Sequence, residues 1–135
     1  MIVADANLIA YFAIHTEYSA KAEAVCAEDP IWVAPLLWRS EFRNTLLKYL
    51  LHEGMSFDLG MASLRLAEEA IAGREYTVDS RKVLELAMQS KCSAYDCEYV
   101  ALAMDLDVPL VTTDKQVLKA FSKIAVSLEN FVRKK

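Results

Sequence analysis

Glycine and proline are scarce in this chain, at three residues each, and so are cysteine, at three, and histidine, at two. With so few residues that interrupt regular structure, open loops must be short and helix should dominate. Cys26, Cys92 and Cys97 are odd in number and contain no Cys-x-x-Cys pair, which argues against both a disulfide framework and structural zinc. Cys97 reads as a small residue of a helix, in the core or at the surface. Positive charge is not in excess either. A net charge of −4 excludes a protein that coats nucleic acid by bulk charge, while leaving open phosphate contact at a cleft, where the field depends on local placement. Finally, no long apolar run is present. Asp5 and Asn7 interrupt the apolar amino terminus and no basic segment precedes them, so neither a signal peptide nor a membrane span is expected, and the cytoplasm is the default compartment.

What is present suits one domain over residues 1–135. A hydrophobic share of 55% against 25% charged residues supplies a generous core for a chain of this length. The pattern alternates. Residues 2–5 read as a buried strand and a helix follows from Asn7. Thr16 is the expected cap of a helix over 17–28. A strand at 31–34 precedes a long helix that has Pro35 in its first turn and reaches His52, where Gly54 stops it. Ser56 opens a helix over 57–72, with Phe57, Met61, Leu64, Ala67 and Ile71 as its stripe, ended by Gly73. Then come a strand at 75–78, a helix to Ser90 capped by Asp79 or Ser80, and a helix from Ser93 through Leu106. A strand at 109–113, a helix over 114–122, a short strand at 124–126 and a closing helix complete the chain. This order predicts an α/β three-layer sandwich, a short parallel sheet of about four to five strands flanked by helices.

Four acids stand out against that frame. Asp5 and Asp114 each follow a β-branched run, at the carboxyl end of a strand where a parallel sheet gathers its ligands. Either one alone is equally well read as a helix cap. Glu41 projects onto the edge of the arc formed by Trp38, Phe42, Thr45, Leu46 and Tyr49, and a buried carboxylate needs a partner or a metal. Arg43 and Lys48 project elsewhere, so the partner is not intrahelical; a pair from another part of the chain stays open. Asp96 matches a capping box with Ser93 but also falls on the apolar side of its helix, between Val100 and Ala103, whereas Glu98 and Asp105 read as solvated. Carboxylates brought to one sheet edge repel one another unless they share a cation, so the set predicts one or two Mg²⁺ or Mn²⁺ ions. Asn7 stands where it can orient Asp5 or contact a phosphate.

Four segments in order, Val3-Ala4-Asp5-Ala6-Asn7-Leu8-Ile9, Ser40-Glu41-Phe42-Arg43-Asn44-Thr45-Leu46, Tyr95-Asp96-Cys97-Glu98-Tyr99-Val100-Ala101-Leu102-Ala103 and Leu110-Val111-Thr112-Thr113-Asp114, resemble a PIN domain of the VapC toxin type across almost the whole chain. The resemblance implies a metal-dependent endoribonuclease, with a cognate antitoxin that blocks the site and often a homodimeric assembly. It assigns the acidic roles to Asp5, Glu41, Asp96 and Asp114, with Asn7 and Thr112 as supporting polar groups. Where such domains often carry a further acid, this chain has Gln116 and Val117, which either removes the second ion position or leaves it to be completed by substrate phosphate and water.

Arg39, Arg43 and Lys115 are the nearest cations in sequence and the candidates for gripping RNA; Arg133-Lys134-Lys135 is either a phosphate-touching tail or a frayed end. His52 projects near Glu41, but neither histidine is required by metal-dependent hydrolysis. Leu37, Leu47 and Leu51 form a second apolar face on the long helix, to be covered by a second copy of the chain or by the 57–72 helix. The competing reading is a non-catalytic PIN-like module that binds RNA or protein, against which the intact acidic set argues. A phosphoacceptor receiver domain is disfavoured because neither the 31–34 nor the 75–78 strand supplies the acceptor Asp.

Overall fold

A computed structural model describes residues 1–133, so Lys134 and Lys135 of the basic tail lie outside the described residues. Within them the chain forms five strands, β1 Ile2–Ala4, β2 Trp32–Pro35, β3 Glu75–Tyr76, β4 Leu110–Val111 and β5 Ala125–Val126. Eight helices alternate with these: α1 Ala6–Ala13, α2 Ser19–Glu28, α3 Trp38–His52, α4 Phe57–Ile71, α5 Ser80–Ser90, α6 Ala94–Leu106, α7 Lys115–Ala120 and α8 Leu128–Arg133. All strand pairings are parallel, in the order β3-β2-β1-β4-β5. The α/β sandwich expected from the alternation is the one observed.

The apolar runs explain the sheet. Ile2, Val3 and Ala4 are fully buried in the central strand, and Trp32, Val33 and Ala34 beside them are nearly so. A strand covered on both faces has no reason to alternate, which is why these segments read as continuous hydrophobic runs. α6 packs directly on β1, β2 and β4, and α5 packs on α6. α4 rests on β2, and α1 joins α2, α3 and α4.

Local departures have local causes. Pro35 ends β2 instead of opening α3; α3 begins after Leu37, which offers no side-chain cap. Tyr18, not Thr16, occupies the cap position of α2. Thr16 shapes the turn before it: its hydroxyl accepts from Tyr18 N at 3.0 Å, and its amide donates to Ser19 Oγ at 2.9 Å. Gly54 and Gly73 follow α3 and α4 in the left-handed region, at φ 71° and 73°, as helix-ending glycines do. The expected α4 stripe holds at Ala67 and Ile71, with Met61 and Leu64 packed against the core, and fails at Phe57. Gly60, Ser63, Ala67 and Ile71 are buried, while Phe57 is 66% exposed. Small residues let α4 approach α3 closely, Gly60 lying against Leu46 and Leu50. That contact leaves Leu47 and Leu51 exposed, while Leu37 packs against the core.

One ion-pair network fastens the β3 edge. Arg39 donates to both oxygens of Glu75, at 2.6 and 2.9 Å, and to Glu68 Oε2 at 2.9 Å; Trp38 Nε1 adds a bond to Glu75 Oε2 at 2.8 Å. The two-pronged guanidinium contact lowers the Glu75 pKa from its ordinary 4.5, with the Trp38 bond acting in the same direction. A carboxylate with a depressed folded pKa stabilises above its unfolded value, and that stability is lost as pH falls through the folded pKa. Glu75→Gln is therefore expected to flatten the loss of thermal stability below about pH 4.5. Melting curves across that range check it, and a slope identical to the parent's would refute it.

Candidate active site

The sheet order places a crevice where its two halves diverge. From β1 the chain runs to β2 on one side and arrives later at β4 on the other, so the carboxyl ends of β1 and β4 flank the switch point. Asp5 leaves β1 there, and Thr112, Thr113 and Asp114 leave β4.

Asp5 caps α1: its Oδ1 accepts from Leu8 N at 2.8 Å. Its Oδ2 accepts from the Thr112 hydroxyl at 2.6 Å and from Thr113 N at 3.2 Å. Thr112 in turn accepts from Asp114 N at 3.1 Å, and Asp114 Oδ1 caps α7 by accepting from Val117 N at 2.9 Å. Asn7 Nδ2 donates to Thr113 Oγ1 at 3.2 Å. The capping reading of Asp5 and Asp114 is thus the observed one, and the same carboxylates lie at the carboxyl edge of the sheet. A capping carboxylate keeps further lone pairs for other partners.

Glu41 stands on α3 in its first turn and Asp96 in the first turn of α6, where Asp96 N donates to Ser93 Oγ at 3.0 Å. The partner that the projection of Glu41 demanded is a phenol: Tyr99 donates its hydroxyl to Glu41 Oε1 at 2.6 Å. Tyr99 belonged to the recognised segment without an assigned role. Its spacing carried the signal, because Tyr99 lies three residues after Asp96 and shares its side of the helix.

These side chains line one small cavity of about 80 Å³, bounded by Asp5, Asn7, Glu41, Asp96, Thr112 and Asp114, with Tyr99 in its wall. Burial raises the pKa of Asp5, of Glu41 and of Asp96 above the ordinary values. Hydrogen bonds from Thr112, Tyr99 and Ser93 respectively oppose the rise, and the neighbouring acids reinforce it: Asp114 acts on Asp5 and Asp96, and both Asp96 and Asp5 act on Glu41. Burial also raises the Tyr99 pKa, so the phenol keeps its proton and remains a donor.

An all-oxygen set of mutually repelling carboxylates suits a hard divalent cation. Among the described residues, however, no three acidic, imidazole or thiol groups are drawn together as a closed ligand cage. The donor chemistry fits such an ion; the arrangement is an acid-lined cavity.

Other candidates fall elsewhere. Arg39 is held by Glu75 and Glu68 and does not line the cavity. Arg43 and Lys115 are exposed; Lys115 lines a neighbouring cavity that shares Thr112. His15 and His52 are exposed. Cys97 is a core residue, and all three cysteines are free. Glu98 is not the solvated residue expected. It is half-buried, faces a separate cavity with Leu36, Tyr76, Val83 and Leu84, and has its pKa raised by burial. α6 is covered on most sides, with Cys97 and every residue from Tyr99 to Ala103 buried, so a helical projection has little to discriminate. Asp105 is exposed as expected and pairs with Lys82 at 2.7 Å.

No protein-family model matches this sequence, nor does any curated protein. Solved structures match its fold. The chain is similar to PAE2754 from Pyrobaculum aerophilum at 21% identity and a TM-score of 0.73, over 98% of this chain and 94% of that one. It is also similar to FitAcB from Neisseria gonorrhoeae at 18% identity and a TM-score of 0.62, over 94% and 96% of the two chains. At these identities the likeness is one of architecture: a PIN-like α/β sandwich.

The hydroxyl of Thr112, 2% exposed, is the donor on which the Asp5 carboxylate most depends. Thr112→Val preserves shape and removes that donor. It is expected to cost about 1–3 kcal/mol, the usual penalty for a buried polar group left without its partner. Urea unfolding measures this, and an unchanged midpoint would contradict it.

Proposed function

We propose that the protein is a divalent-metal-dependent endoribonuclease and the toxin of a toxin–antitoxin pair. The observation that carries the reading is the convergence of Asp5, Glu41, Asp96 and Asp114, from four separated stretches of sequence, on one cavity at the switch point of a parallel sheet. The PIN-like architecture supports it. So does the resemblance of the four segments that carry these acids.

The four acids would hold Mg²⁺ or Mn²⁺, as one ion or two. When bound, such an ion lowers the pKa of a water and neutralises charge on the phosphate. This chain's own residues supply placement. Thr112 and the amides of Leu8 and Thr113 fix the Asp5 carboxylate, and Tyr99 fixes Glu41 by one oxygen while Oε2 stays free of hydrogen bonds among the described residues. A water attacks the scissile phosphorus in line, the P–O3′ bond breaks, and the water's proton passes to the departing oxygen. The products carry a 5′-phosphate and a 3′-hydroxyl. Neither histidine takes part. A cognate antitoxin would act by covering this cavity.

The first test incubates the protein and Asp96→Asn with total cellular RNA in Mg²⁺ or Mn²⁺, with a chelator control. Discrete cuts with 5′-phosphate ends are expected, reduced about a hundredfold or more in the variant and abolished by chelation. Mg²⁺ should also raise the melting temperature, by more at neutral than at acid pH, because protons compete for the three carboxylates whose pKa values are raised. Equal cutting by parent and variant would overturn the reading. No cutting by folded parent under any metal, with no thermal shift, would favour a binding module.

The exposed Leu47 and Leu51, 47% and 66% accessible, support pairing with a second copy through α3. Sedimentation should show a dimer that Leu51→Glu dissociates; a parent that sediments as a monomer at high concentration would remove this part of the reading.

A further inference from the structure

Next to the acidic cavity lies a larger one of about 390 Å³, and Thr112 belongs to both. Its chemistry is the opposite of its neighbour's. Tyr11 of α1 and Tyr18 at the start of α2 stand with ring centroids 4.8 Å apart and planes tilted by 32°. Lys21 sits 5.9 Å from the Tyr18 ring, Lys115 follows Asp114 directly, and Thr113 and Ser127 add hydroxyls. Asn7, which lines the acidic cavity, and Tyr11 are four residues apart on one face of α1, and Asn7 bonds Thr113, so the two cavities share a wall. Burial first, then Tyr18 and the Asp5 charge, raise the Tyr11 phenol pKa, which is consistent with that closeness.

Tyr18 is 41% exposed, so a ring remains accessible. The single acid in this wall, Glu129, is paired with Lys21 at 3.3 Å, and both side chains are about half exposed, at 52% and 50%. An exposed pair of that kind opens at little cost when a phosphate competes for the ammonium. Aromatic rings beside ammonium groups are what a single strand of nucleic acid binds: bases stack on rings and phosphates meet cations. A base inside a duplex cannot reach a ring in this way. The acidic cavity repels phosphate by itself and gains from cations next door.

We propose that this cavity seats a nucleotide flanking the cleaved phosphate of single-stranded RNA, its unpaired base resting on the Tyr18–Tyr11 pair and its phosphate on Lys21 and Lys115. The proposal rests on the nuclease reading for what lies in the acidic cavity, and its binding step is separable from cutting.

The experiment measures anisotropy of a short fluorescent oligouridine on Asp96→Asn protein in Mg²⁺, so that the strand stays intact. Tyr18→Ala in that background is expected to raise the Kd about tenfold, the range of lost base–aromatic stacking, while Tyr18→Phe retains binding because stacking needs no hydroxyl. Lys21→Gln and Lys115→Gln should each weaken binding and lower the salt slope by about 0.7. A folded Tyr18→Ala with the parent Kd would overturn the proposal, as would unchanged binding in both lysine variants; either is also the result expected if the cavity takes a peptide. Metal-dependent cutting together with such unchanged binding would sink this subsite and leave the nuclease standing. Loss of binding in Tyr18→Ala from a protein that cuts no RNA would do the reverse.

Discussion

The Asp5 carboxylate is the joint on which the site depends. It ends the central strand, caps the first helix, and accepts from two groups that belong to the end of β4. One side chain therefore fixes two strand ends and the helix between them. Its acceptor oxygens can do this only while the group stays in a polar pocket. Burial works against its charge, and the surrounding donors offset part of that cost. The strand that carries it, fully buried on both faces, cannot shift to relieve the strain of like charges. The repulsion is thus held in place by the hydrophobic core.

Glu41 and Asp114 are each held by one hydrogen bond from a neutral group. Tyr99 binds Glu41 across the gap between α6 and α3. Asp114 is bound through its own helix start. What distinguishes these acids from the paired carboxylates of the surface is the partner. Glu75, Glu68 and Asp105 have guanidinium or ammonium groups; the acids of the cavity have hydroxyls and amides. Neutral donors fix the direction of a carboxylate without supplying a countercharge.

Much of this was legible in the sequence because the informative signals were periodic or covalently local. Buried strands announced themselves as apolar runs, and Gly54 and Gly73 stopped the helices where their positive φ allows. Asp5 and Asp114 were readable from their places after strands, and Glu41 from its position on a core-facing arc. The failures share one cause: they concern what one element presents to another. The Tyr99–Glu41 bond spans residues 58 apart, and no helical projection contains it. Glu98 was misread because its neighbours, Leu36, Tyr76, Val83 and Leu84, come from outside α6 and no projection of that helix contains them. The stripe of α4 failed at Phe57 and passed over Gly60 and Ser63, small buried residues of which Gly60 lies against Leu46 and Leu50 of α3. Arg39 looked like a cation near an acid along the chain; in space its acids are those of α4 and β3.

The cavity that the acids line, about 80 Å³, has room for a few waters and is the smaller of two that meet at Thr112. The acids and the rings and ammonium groups beside them stand on separate walls. The groups of the neighbouring cavity stand largely on helices, whose side chains can change without moving a strand end. Substitutions on those helices can therefore alter what the surface meets while the acid-lined cavity, and the strand ends that hold it, stay as they are.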